Sequence, residues 1–81
     1  MDEKSLQLLK VMREQLGETA ASRTVDAVAA ASSLGLYPGT LDRSLHDLVR
    51  AGYLEESADP SLTTQGRYLI TSEGIAAAEN P

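Results

Sequence analysis

The side chains that could do chemistry in this chain are few, and they gather in one stretch. Arg43, His46, Asp47 and Arg50 recur at helical spacing inside a segment whose apolar residues, Leu41, Leu45, Leu48 and Val49, recur at the same interval. On a helix of 3.6 residues per turn the two sets fall on opposite faces. Two guanidinium groups and an imidazole on one free face can hold phosphates or reach base edges, and Asp47 can accept from a cytosine amino group. A solvated amphipathic helix presents the same pattern, with its arginines paired at short range to Asp47. Other chemistry is poorly supplied. There is no Cys, so neither a disulfide nor a thiolate metal site is expected. His46 is the single His and cannot build a zinc site alone. No Ser/His/Asp set, Gly-rich phosphate loop or convergent carboxylate pair is visible. Glu55 and Glu56 are neighbours on an expected strand and so point to opposite faces. The expectation is a non-enzymatic protein with no catalytic residue, metal or cofactor.

Charge qualifies the reading of the basic face. Twelve acidic residues outnumber seven basic ones, for a formal charge of −5. A generic nucleic-acid binder draws much of its affinity from neutralising phosphates, so the total argues against one. The distribution matters more. Within residues 37–54, Arg43 and Arg50 balance Asp42 and Asp47; the excess lies in Asp26, Glu55, Glu56, Asp59, Glu73 and Glu79. No apolar run approaches the roughly 20 residues of a membrane span. The charged opening Met1-Asp2-Glu3-Lys4 precedes no apolar stretch of signal-peptide type. A cytoplasmic protein without a membrane partner is the expectation.

The elements that must position these residues follow from periodicity and punctuation. The chain's 81 residues allow one domain with a thin core of Leu, Val, Ile, Ala, Met and Tyr, since there is no Phe or Trp. Residues 5–16 read as a helix with Ser5 as N-cap, an apolar stripe of Leu9, Met12 and Leu16, and Gly17 at its end. Residues 24–34 read as a second helix, capped by Thr24, with Asp26 in its first turn and Ala27, Val28, Ala31 and Leu34 on one face. Gly35 is placed to stop it. Residues 38–51 read as a third helix, opened by Pro38 or, given Gly39, by a later start with Thr40 as cap. Tyr53 to Glu56 and Arg67 to Thr71 read as strands around a turn-rich loop, Ser57 to Gly66. Thr71 can cap a last helix from Ser72 to Glu79, which Gly74 weakens. Tyr53 and Tyr68 are expected to pack, and the acids Glu55, Glu56 and Asp59 to guard a strand edge.

Residues 31–55 read Ala-Ser-Ser-Leu-Gly-Leu-Tyr-Pro-Gly-Thr-Leu-Asp-Arg-Ser-Leu-His-Asp-Leu-Val-Arg-Ala-Gly-Tyr-Leu-Glu, and residues 68–74 read Tyr-Leu-Ile-Thr-Ser-Glu-Gly. The first stretch resembles the helix-turn-helix of bacterial and archaeal winged-helix regulators of the MarR, PadR and ArsR type. The second resembles their second wing strand. The resemblance spans roughly residues 25–75. It implies a mainly α fold with a small β-hairpin: a winged helix-turn-helix with a three-helix core, a two-stranded wing and a short C-terminal helix. The chain would be one such domain over 1–81, with the helix-turn-helix at about 24–51 and the wing at about 53–71.

The resemblance further implies a DNA-binding transcription regulator whose third helix enters the major groove of double-stranded DNA. Arg43, His46, Asp47 and Arg50 would face the bases. Tyr37 and Thr40 would lie near the backbone, and Arg67 would meet flanking phosphates. A homodimer is expected on the same ground, with its seam on the first or last helix. Two departures from the family stand out: Tyr37 replaces the usual capping Ser or Thr, and the wing loop has no Lys or Arg. With the acidic total, they motivate an alternative, a protein–protein interaction module on the same fold. An acidic antagonist of a DNA-binding partner is a third, weaker reading.

Overall fold

The computed structural model describes residues 3–17, 23–56, 58–61 and 66–79. Its main elements run α1 (Glu3–Leu16), β1 (Thr24–Asp26), α2 (Ala27–Leu34), α3 (Pro38–Arg50), β2 (Leu54–Glu56), β3 (Arg67–Ile70) and α4 (Ser72–Glu79). The chain is mainly helical, with the helices packed on a three-stranded antiparallel sheet of order β1-β3-β2.

The sheet differs from the expected two-stranded hairpin. Thr24, read as the cap of the second helix, instead begins a strand that pairs with β3, Thr24 opposite Leu69 and Asp26 opposite Arg67. Helix α2 therefore starts at Ala27, and Asp26 is its N-cap, its carboxylate accepting from the Ala29 N–H at 3.1 Å. Gln15 near the end of α1 makes the strand possible. Its amide oxygen accepts from the Asp26 N–H at 2.7 Å, and its NH2 donates to the Asp26 carbonyl at 2.9 Å. That pair satisfies backbone groups which an edge strand would otherwise leave to water.

Alternation sorts the sheet into two faces. Val25, Leu54 and Ile70, each 1% exposed, point to the helices. There they join Leu8, Leu9 and Met12 of α1, Ala27, Ala30 and Ala31 of α2, and Leu45 and Leu48 of α3. Val28, expected on the buried face of α2, is 55% exposed; the face turned to the core carries Ala27, Ala30 and Ala31, and Val28 lies about 100° round the helix from Ala27. The alanines let α2 approach its neighbours closely. Gly35, at φ 69°, stops α2, and the Leu36 N–H turns back to the Ala31 carbonyl at 2.9 Å.

The N-terminal helix also starts earlier than its expected Ser5 cap. Ser5 lies inside α1, fully buried, and its hydroxyl has no hydrogen-bond partner among the described residues. At the other end, Thr71 does cap α4. Its hydroxyl accepts from the Gly74 N–H at 3.0 Å and donates to the Gly52 carbonyl at 2.6 Å, while its own N–H donates to the Tyr53 carbonyl at 3.0 Å. Gly74 is required by this same junction. A side chain on it would collide with the Tyr53 carbonyl oxygen and press on Ile70. Arg13 closes the packing of α1 on α4 through an ion pair with Glu79 at 3.0 Å.

Three substitutions test this packing by thermal or denaturant unfolding. Gly74→Ala, despite its gain in helix propensity, should destabilise by about 1–3 kcal/mol because the methyl overpacks a backbone contact. Gly39→Ala, whose added methyl meets open space, should be neutral or stabilising by up to about 1 kcal/mol. Ser5→Ala, which removes an unpaired buried hydroxyl, should stabilise by on the order of 1 kcal/mol. A stable Gly74→Ala protein would contradict the tight α4 junction.

Candidate nucleic-acid interface

Helix α3 is held by one narrow stripe. Ser44, Leu45 and Leu48 are buried, and Leu41 and Val49 pack against the core from its margins. Pro38 occupies the first helical turn, so the later start at Thr40 does not occur. The opposite face is left to solvent. Gly39, Arg43, His46 and Arg50 are exposed along it, while Thr40 and Asp47 are half-buried at one margin. Among the described residues, no hydrogen bond or ion pair engages Arg43, His46 or Arg50; the expected short-range pairing of the arginines with Asp47 is not made. At 1.5 Å per residue the arginines stand about 10 Å apart along the axis, comparable to the ~12 Å width of a B-DNA major groove.

Tyr37 sits at the N-cap of α3 with an extended backbone, and its side chain makes no capping bond. It is 79% exposed, so it does not pack into the turn as a bulky corner residue would. The start of α3 thus carries an exposed aromatic ring and first-turn amides without a side-chain acceptor.

Arg67 does not join this face. It lies directly opposite Asp26 on β1, on the outer face of the sheet, beside Gln15. Its neighbour Tyr68 points the other way, toward α3. The helix surface and the one basic residue of the wing are therefore separated by the sheet itself.

What the sheet does bring to α3 is acidic. Glu56 lies directly opposite Tyr68, and the two form a crevice of about 250 Å3 with Asp42, Leu45, His46 and Val49. Burial pushes the Tyr68 hydroxyl above its ordinary pKa, and the charges of Glu56 and then Asp42 push it further in the same direction. The basic stripe of α3 is thus bordered by Asp42 and Glu56 on its sheet side and by Asp47 on its other side. Neither Glu56 nor Tyr68 was placed at this site by sequence reasoning. Glu55 and Glu56 were expected to alternate across a strand and guard its edge; the strand register places Glu56 on the face of Tyr68.

The described part of the wing loop is acidic too. The Asp59 carboxylate accepts from the Ser61 hydroxyl at 2.8 Å and from the Ser61 N–H at 3.0 Å. These bonds favour the ionised form and hold its pKa below the usual carboxylate value. The rest of the loop, Ser57 and residues 62–65, lies outside the described residues.

The crevice makes a pH prediction. A phenol whose pKa is raised by folding binds its proton more tightly in the native state, so its stabilising contribution is complete below the unfolded value of 10.0 and is lost as pH rises through the folded value. The phenolate absorbance change that disappears in Tyr68→Phe should be centred above pH 10.0 in the folded protein. It should move down in Glu56→Gln, and by less in Asp42→Asn. A midpoint unmoved by either change would remove the two carboxylates from the neighbourhood of Tyr68.

The chain matches no known family, curated protein or solved structure, so the assignment of this surface rests on its own geometry.

Proposed function

We propose that the chain is a winged helix-turn-helix domain that binds double-stranded DNA through α3, as a transcription regulator. The fold reading is supported by the order helix, strand, helix, helix, strand, strand, with the first strand added to the hairpin's outer edge and α2 meeting α3 across the Gly35 turn. The observation that carries the function is the face of α3. Arg43, His46 and Arg50 project from a rigidly seated helix with no partner among the described residues. Unpaired guanidinium groups on one stripe are available to guanine edges and phosphates without breaking an internal bond first. Thr40 and Tyr37 lie where the backbone would pass. Arg67 falls outside this contact surface, and Asp47 limits it at one margin.

A second reading is favoured by a specific observation, the acid border formed by Asp42 and Glu56 against Tyr68. In that reading α3 and the sheet edge dock a protein with basic side chains, and phosphate is repelled.

Binding to duplex DNA across a salt series separates the two. The DNA reading predicts affinity that falls steeply with salt. An Arg43→Ala, Arg50→Ala double variant should keep its fold, while the slope of log K against log salt decreases by about 0.9 for each phosphate no longer neutralised. Glu56→Gln should strengthen DNA binding by removing a charge from the border. Absence of any binding to duplex at low salt, from random and genomic pools alike, would overturn the regulator reading and leave the protein-docking one.

A further inference from the structure

His46 is the single His among 81 residues, and there is no Cys. Imidazole is the side chain whose charge ordinarily changes between about pH 5 and about pH 8. In this chain that change of charge is therefore assigned to one position, and the position is on α3. His46 is exposed there, lies between Arg43 and Arg50 along the helix, and also forms part of the crevice with Asp42, Glu56 and Tyr68. It belongs at once to the exposed basic stripe and to the acid-lined crevice beside it.

The charged groups around it come from three elements. On α3, Asp42 stands one turn before His46 and Arg50 one turn after, with Arg43 and Asp47 alongside. Strand β2 contributes Glu56 and strand β3 contributes Tyr68. Tyr68 stays neutral across the imidazole range, because burial and then the charges of Glu56 and Asp42 raise its pKa from 10.0. With His46 neutral, the guanidinium groups of Arg43 and Arg50 are outnumbered by the carboxylates of Asp42, Asp47 and Glu56. With His46 protonated, the opposing charges are equal in number. One proton thus sets the charge balance that a polyanion meets at this surface.

We propose that His46 is a proton-operated switch on the DNA contact of α3. In the protonated form it completes a stripe of three cations and the domain holds duplex; in the neutral form the acid border prevails and duplex is released. The switch rests on the DNA reading of α3 and names its regulation. Phosphate oxygens brought beside the imidazole favour its charged form. Duplex and proton therefore strengthen each other's binding by the same factor, as linkage requires. The proton comes from solvent and returns to it, and no other bond is made or broken.

The test is duplex binding at fixed ionic strength between about pH 8 and about pH 5.5, where imidazole changes charge. Affinity is expected to rise about tenfold toward acid, the scale of one charge-assisted hydrogen bond. His46→Gln, an exposed substitution that leaves the core untouched, should abolish the rise. His46→Arg, with a permanent charge, should show the acid-side affinity at both ends of the range. The single imidazole also gives one ring-proton signal by NMR, and its titration should move to higher pH when duplex is added. A pH dependence that survives in His46→Gln, or an imidazole titration that bound duplex leaves in place, would overturn the switch while the DNA reading stands. Failure to bind duplex at either end of the range would remove both.

Discussion

Strand β3 is the constraint on which the rest of the structure depends. It is the strand of the sheet with a partner on both sides, and it joins segments that local sequence preferences would leave apart. Its Ile70 faces the helices between Val25 and Leu54, so one four-residue strand sets the floor of the core. Immediately after it, Thr71 and Gly74 tie the start of α4 to the carbonyls of Gly52 and Tyr53. The exit of α3, the entry of β2 and the beginning of α4 are thereby bound at one point. Such a thin core has few apolar contacts to spare, so these backbone bonds and the close approach at Gly74 weigh more than they would in a larger domain.

The same strand shapes the electrostatics of α3. By presenting Tyr68 inward it carries Glu56, on the neighbouring strand, to the edge of the helix surface. By presenting Arg67 outward it withholds the one base that the wing has to offer. The exposed stripe of Arg43, His46 and Arg50 is consequently a narrow band bordered by acids on both sides. A polyanion meeting it would have to be seated along the helix axis, since displacement toward the sheet or toward Asp47 places phosphates against carboxylates. That arrangement opposes loose electrostatic adhesion, in keeping with the −5 charge of the whole chain.

Much of α3 was legible in the sequence because its information is local. The spacing of Leu41, Leu45 and Leu48, with Pro38 before them and Gly52 after, is enough to define both the helix and its free face. Thr71 as a cap and Gly35 as a left-handed stop are equally local. Strand β1 was not legible. Thr24-Val25-Asp26 is three residues long, abuts a run of Ala and Ser with helical periodicity, and becomes a strand only because β3 and Gln15 pair with its backbone. That one strand displaces the helix start from Thr24 to Ala27. Ser5 misleads for a similar reason, since a Ser near an apolar run signals a cap whether or not the helix extends past it. The crevice of Glu56 and Tyr68 required two elements to be docked, which no periodicity along one element reveals. The third strand of the sheet and the outward placement of Arg67 are hidden for the same reason.

The pairing of residue 24 with residue 69 has a consequence for how the chain acquires its shape as it is made. Helices α1, α2 and α3 draw on neighbours in sequence and can form as they leave the ribosome. Strand β1 cannot, because its partner is made about 45 residues later. Until then Gln15 can meet the backbone of Asp26, but Val25 has no floor to pack on. Closing so long a loop is entropically costly, and the return comes only when β3 arrives with Ile70 and Tyr68. The sheet, rather than any helix, is therefore where the longest loop of the fold closes, and a chain cut short before β3 would lack the strand on which both others pair.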